Sequence, residues 1–287
     1  MDESYDRKAI RKKLKQQAKT TLHKDLWGNV GLTAPIILIF YLEVFVSYMA
    51  DEHSSSTALA ITNLVLAIAA ILIIAYTQYV QSYQSLKQLR DDSELANPMQ
   101  SWFKTYLTKH WQRTLWLSVW MVTLFLIGWG ALVFVGQLVT QASFLLIIIS
   151  SLTYTPVPSF VYWLLIVGIT LIVVFAIVYL LKLYKYILVP FVGFNEPSLK
   201  GFQLIAKSRQ LMIGHRWEIF VMNLSFFWWM LLTLVTLGLA GFYTIPYMIL
   251  TLAGYFDTLN DKQKQQDESA AQQDSPKVQP VVLHPSN

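Results

Sequence analysis

Apolar residues in this chain fall in long, almost unbroken runs, separated by short polar stretches that are mostly basic. The runs cover about Trp27–Ala50, Thr57–Ser82, Thr114–Val139 and Pro158–Leu181, and a last one extends from Trp217 to Phe256. A helix rising about 1.5 Å per residue needs about 20 apolar residues to cross a hydrocarbon core roughly 30 Å thick. Lipid offers the backbone no hydrogen bonds, so a crossing segment must close its own, as a helix does. Barrel strands need only about 10 residues, far shorter than these runs. The first four runs therefore predict one crossing helix each. The last is too long for one. Gly238 and Gly241 divide it and Pro246 follows, which predicts a fifth span over 217–237 and a sixth over 242–259. A re-entrant hairpin that never crosses is the other way to fold the same residues. The fold class expected is an all-α integral membrane protein with about six transmembrane helices in a domain over 27–259.

The basic residues orient these spans. Lys and Arg are retained on the cytoplasmic side. With the N-terminus inside, the arm 1–26 holds eight of them, 83–113 five, 182–216 six and the tail three, which is the whole complement of 22. The outer connections 51–56, 140–157 and 238–241 hold none. Both termini are thus expected in the cytoplasm. Residues 1–25 lack the short apolar core of a cleavable signal, so the first span is read as uncleaved. Segment 141–157 either extends the third helix or lies along the outer surface. The tail 260–287, rich in Gln, Asp and Ser and without aromatics, reads as disordered.

Each long cytoplasmic segment also carries a basic amphipathic pattern. In the arm, Ile10, Leu14, Ala18 and Leu22 fall four apart among lysines and arginines. After Asn97-Pro98, the residues Met99, Trp102, Phe103 and Tyr106 share a face. After Glu196-Pro197, Phe202, Ile205, Ala206 and Arg209 do the same. These predict interfacial helices lying in the headgroup plane, with cations on lipid phosphates.

Only 14% of residues are charged and 55% are hydrophobic, against about 25% charged in a soluble domain. The net charge of +5 is spread over membrane-flanking segments, which disfavours nucleic acid as a partner. Cysteine is absent and the five histidines are scattered, so no disulfide, thiol nucleophile, metal site or cofactor is expected. No phosphate loop, nucleophile elbow or zinc-protease motif occurs, and no enzyme activity is expected.

The stretch 208–259 resembles a known family. Its residues are Ser208, Leu211, Met212 and Gly214; Leu224 to Phe226 with Trp229; Thr236 and Gly238; Pro246-Tyr247; and Tyr255-Phe256. At the N-terminus Arg11, Leu14, Lys15, Ala18, Trp27 and Asn29 match more loosely. The pattern is similar to the uncharacterised bacterial membrane proteins classed as domain-of-unknown-function family 975. Trp228 and Ala240 stand where that family usually has glycine. The resemblance implies a multi-pass protein of the bacterial plasma membrane and no particular activity.

Glu43 is the ionisable residue deepest in a span, and Asn63 falls at similar depth on the next helix. Such a pair is either a proton- or cation-responsive site or a polar clasp between helices. Arg209, His215 and Arg216 cluster where the fifth span begins, either as contacts to a lipid phosphate or as ordinary positive anchoring. Gln78, Asn223 and Ser225 are further polar candidates inside spans. The function expected is a non-enzymatic scaffold or accessory factor in envelope or lipid homeostasis. The alternative is a small permease or transporter subunit with Glu43 as coupling residue. The partners expected are membrane lipids through anionic headgroups of the cytoplasmic leaflet, with a second copy of the chain or a transporter protein as further candidates.

Overall fold

A computed structural model describes residues 3–52, 57–90, 112, 115–117, 119, 130–184, 186–199 and 201–274. Where they are described, the apolar runs fold as helices, and no strand occurs among the described residues. In chain order the helices are α1 (Glu3–Lys24), α2 (Leu26–Glu52), α3 (Thr57–Leu89), α4 (Ala131–Leu152), α5 (Ser159–Leu183), α6 (Val189–Asn195), α7 (Phe202–Leu211), α8 (Arg216–Leu224), α9 (Phe227–Val235) and α10 (Gly241–Asp274). Four contain stretches long and apolar enough to cross a membrane: Leu26–Met49, Ile61–Leu89, Val133–Leu152 and Ser159–Tyr179. The pair α8–α9, bent by 43°, would make a fifth.

The sequence placed the third span at 114–139 and left 141–157 open between an extension of that helix and a segment along the outer surface; the helix runs on to Leu152, which is the extension. Its polar residues do not interrupt it, because Thr140 and Ser143 donate to the carbonyls of Gly136 and Val139 one turn back. Much of 114–130, and the whole Met99–Leu107 pattern, lie outside the described residues. Helices α4 and α5 pack closely as a hairpin. A Cβ on Gly168 would fall 2.9 Å from the Thr140 backbone nitrogen, and one on Gly136 2.9 Å from that of Ile172. Only glycine permits that approach.

The packed core gathers at one end of these helices, the end that carries the start of α2 and the close of α3. There Leu14, Ala18 and Leu22 of α1, Leu188–Val192 at α6, Leu204 and Met212 around α7, Ile219 and Met222 of α8, and Leu250 to Phe256 of α10 are buried together. This corrects the reading of the arm. Its four-apart apolar face is buried on protein, chiefly α10, and not in the acyl boundary. Gly254 of α10 allows the contact, since a Cβ there would meet Leu14 Cδ2 at 3.1 Å. Lys8, Lys12, Lys13 and Lys19 stay exposed on the other side.

Two more expectations change. Glu196-Pro197 does not start a helix: Pro197-Ser198 form a turn and α7 begins at Phe202. The tail expected to be disordered from Asn260 continues α10 unbroken to Asp274, with Leu259 and Asn260 buried. Polarity there removed the core signal from the sequence, but a helix already nucleated propagates cheaply into exposed Gln- and Ala-rich chain. Pro35 and Pro246 lie inside α2 and α10, and neither ends its helix.

Candidate functional site

The most elaborate polar junction joins the arm, α8 and α10. Its centre is Glu218, in the first turn of α8, with only 13% of its side chain exposed. A carboxylate is favoured near a helix N-terminus, but one this buried needs specific partners. Arg7 of α1 places Nε 3.2 Å from Oε1. The buried Tyr255 of α10 donates its hydroxyl to Oε2. His215 Nδ1 stands 3.4 Å from Oε2, within ion-pair range but off the line of a hydrogen bond. Two turns further along α1, Lys15 donates to the Ser225 carbonyl and sits 4.3 Å over the Phe226 ring. Burial, and then the neighbouring Arg11 charge, lower the Lys15 pKa below its ordinary value. A parallel junction closes α3: Arg90 pairs with Asp257 of α10 at 2.6 Å and donates to Asn195 of α6 at 3.1 Å.

A second feature is a polar seam inside the α2–α3 pair. Asn29 and Thr33 of α2, with Thr77, Gln81, Gln84 and Ser85 of α3, are all buried. Gln81 Nε2 donates to Thr33 Oγ1 at 3.0 Å; among the described residues Gln81 Oε1, the Tyr79 hydroxyl and the Gln88 amide have no hydrogen-bond partner. Gln78, the glutamine singled out from the sequence, is exposed.

The other expected residues are scattered. Asn63 accepts from Ser47 at 3.2 Å. Glu43, one turn before Ser47, is half-buried and makes no hydrogen bond or ion pair among the described residues, so the expected Glu43–Asn63 clasp is replaced by Ser47–Asn63. Of the basic cluster, His215 turns inward to Glu218, whereas Arg209 and Arg216 are exposed. Around those two arginines, Phe202, Ile213 and Trp217 are exposed. The α7 face with Leu204, Ser208 and Leu211 is the buried one. Asn223 and Ser225 are not joined to Gln78. Sequence reasoning missed Glu218 altogether. The signal was present, since it is the only acidic residue between Pro197 and Phe256.

No catalytic arrangement emerges from these groups. Among the described residues no cluster of His, Asp and Glu could hold a metal ion. A cavity of 220 Å³ lies between α1 and α10, lined by Lys13, Gln17, Asp257 and Asp261 among others. That is below the roughly 300–1,000 Å³ of typical small-molecule sites. Helices fit to cross a membrane, a core gathered at one end and polar junctions tying the N-terminal arm to the last helix define a helical protein of membrane type.

The chain belongs to the family of proteins of unknown function designated DUF975, whose family model matches residues 8–263. The match takes in the Arg90 junction whole, the Glu218 junction apart from Arg7, and the ten described helices apart from the ends of the first and last. Neither the curated proteins nor the solved structures contain a match to it.

Proposed function

We propose that this chain is a non-enzymatic, multi-pass protein of a bacterial plasma membrane, acting as a scaffold or accessory factor in envelope or lipid homeostasis. Both termini lie in the cytoplasm, on the side where all 22 lysines and arginines fall. The stretch 217–259 either adds two crossings, 217–237 and 242–259, or folds back on itself, and both leave the tail in the cytoplasm. The observation that carries the reading is the exposed face of Phe202, Ile213 and Trp217 beside Arg209 and Arg216. Exposed aromatic and aliphatic groups together with exposed cations match a headgroup layer of anionic lipid, where each Lys or Arg contributes on the order of 1 kcal/mol. Purifying the tagged protein in mild detergent from its native membrane tests this. Co-purified anionic lipid, depleted in an Arg209→Gln, Arg216→Gln variant that still folds, supports the reading. Lipid content unchanged by the double substitution refutes it.

The second reading, a permease or transporter subunit, is favoured by Glu43 alone, a half-buried carboxyl in an apolar stretch with no partner among the described residues. It requires Glu43→Gln to abolish a phenotype that a scaffold would retain, and a stoichiometric ATPase in the same purification would move it ahead.

A further inference from the structure

Helices α8, α9 and α10 form an antiparallel hairpin whose register is visible in its rungs. Glu218 meets Tyr255, Phe226 packs on Tyr247 with ring centroids 4.9 Å apart, Trp229 on Tyr243 at 5.1 Å, and Thr233 donates to Thr244 at 3.2 Å. The tip is the turn 236–240. The question is how deep that tip lies, and α2 serves as the ruler. Tyr41 donates its hydroxyl to the Leu237 carbonyl at 2.5 Å, and a Cβ on Gly241 would touch Ile37 Cδ1 at 3.5 Å. Ile37 and Tyr41 fall near the middle of the apolar stretch Leu26–Met49. At about 1.5 Å per residue the tip stands roughly 16–22 Å from one end of that stretch and about 12–18 Å short of the other. The base of the hairpin, at Glu218 and Tyr255, is held by Arg7 of the arm, at the end where α2 begins.

The turn itself is built for lipid. Surface turns are rich in polar residues and proline, as in the threonine- and proline-bearing 153–158. Residues 236–240 read Thr-Leu-Gly-Leu-Ala. Unwound backbone at membrane depth must find its hydrogen bonds within the protein, and it does here. Thr236 Oγ1 accepts from the Ala240 amide, Gly238 donates to the Thr233 carbonyl, and Tyr41 supplies the Leu237 carbonyl. Leu237 and Gly238 take positive φ values of 52° and 99° to close the turn. Meanwhile Leu234, Val235, Leu237 and Leu239 are 72%, 72%, 74% and 61% exposed. The helix α10 is also not among those apolar enough to cross alone.

We infer that 216–255 is a re-entrant hairpin that enters and leaves by the same membrane face, and that its leucine-rich tip is a surface for lipid acyl chains near the bilayer midplane. The chain then crosses four times, and the hairpin displaces lipid from one leaflet only. The distribution of Lys and Arg is indifferent to this choice, because none lies between Trp217 and Phe256. The face involved, the cytoplasmic one, rests on the orientation given under the proposed function.

The natural absence of cysteine makes the test direct. Single cysteines replace Leu239 at the tip, Thr155 in the α4–α5 turn and Ser269 on the exposed end of α10, and a membrane-impermeant maleimide is applied to intact cells and to inverted vesicles. Thr155→Cys is expected to react only in cells and Ser269→Cys only in inverted vesicles. Leu239→Cys should react in neither, at least tenfold less than after denaturation in SDS. Labelling of Leu239→Cys in intact cells to the extent of Thr155→Cys would restore six crossings and overturn the inference; so would labelling in inverted vesicles, which would put the tip in cytoplasmic water. If Thr155→Cys and Ser269→Cys exchange sides while Leu239→Cys stays protected, the orientation fails and the hairpin stands. A fluorophore on Leu234→Cys gives a second reading, since quenching must be stronger with lipids labelled deep in the acyl chain than near the headgroup. The reverse order overturns the inference.

Discussion

Replacing Glu218 tests the junction between the arm and the hairpin most sharply. Glu218→Ala removes the acceptor of a buried tyrosine hydroxyl and the partner of Arg7. A hydrogen bond to a charged group contributes about 1.5–3 kcal/mol net. The Arg7 pair, whose arginine side is 45% exposed, adds about 1 kcal/mol at most. The expected loss is therefore about 2–4 kcal/mol. At roughly 2–4 °C per kcal/mol for chains of 150–250 residues, the midpoint in detergent should fall by about 4–16 °C. Glu218→Gln still accepts from Tyr255 and should lose only about 1–2 kcal/mol. The decisive measurement is the cycle with Tyr255→Phe. Because the two side chains share one hydrogen bond, the double variant should be less destabilised than the sum of the singles by about 1–2 kcal/mol. Trypsin, probing the exposed Lys8, Lys12 and Lys13, should cut the arm faster in Glu218→Ala and no faster in Tyr255→Phe, Glu218→Ala. Additivity within about 0.5 kcal/mol, the level seen for independent sites, would refute the junction.

Three further outcomes are expected. Gly168→Ala puts a Cβ against the Thr140 backbone at 2.9 Å, so SDS titration should show a loss of about 1–2 kcal/mol, overpacking partly offset by helix propensity. Thr140→Ala should restore only part of it, because the backbone nitrogen remains. Asn63→Leu should cost about 0.6–1.7 kcal/mol through the lost Ser47 bond, whereas Glu43→Leu should cost nothing measurable in an unfolding titration. The lowered Lys15 pKa means the unfolded chain binds more protons in the alkaline range just below 10.5, so stability should rise with pH there, and Lys15→Met should flatten that slope.

Periodicity in the sequence says which face of a helix avoids water, not what covers it. Leu14, Ala18 and Leu22 marked the arm as a helix with one apolar side, but nothing local separates a lipid-facing stripe from one buried on Ala253 and Leu250. In α7 the pattern marked the Phe202–Arg209 face, which is open, and passed over Leu204 and Leu211, which face the core. The long runs of α2, α3 and α5 were legible because about 20 apolar residues in a row have few other uses. Between Trp217 and Phe256 the run length alone allowed two crossings or a hairpin, and only contacts to Ile37 and Tyr41 separate them. Glu218 and Asp257 are lone carboxylates near apolar sequence, a signal available from the chain; their arginines, Arg7 and Arg90, come from far earlier in the chain and could not be named without the fold.

One geometrical fact about α10 reaches beyond its packing. Its 34 residues make a single rod about 50 Å long. The rod starts at the tip beside Tyr41, passes the clamps at Tyr255 and Asp257, and runs on into polar chain where Gln265, Gln266, Asp267 and Glu268 are exposed. Clamped near its middle, this one rod joins the apolar turn at its start to polar chain at its far end without a break, Pro246 included.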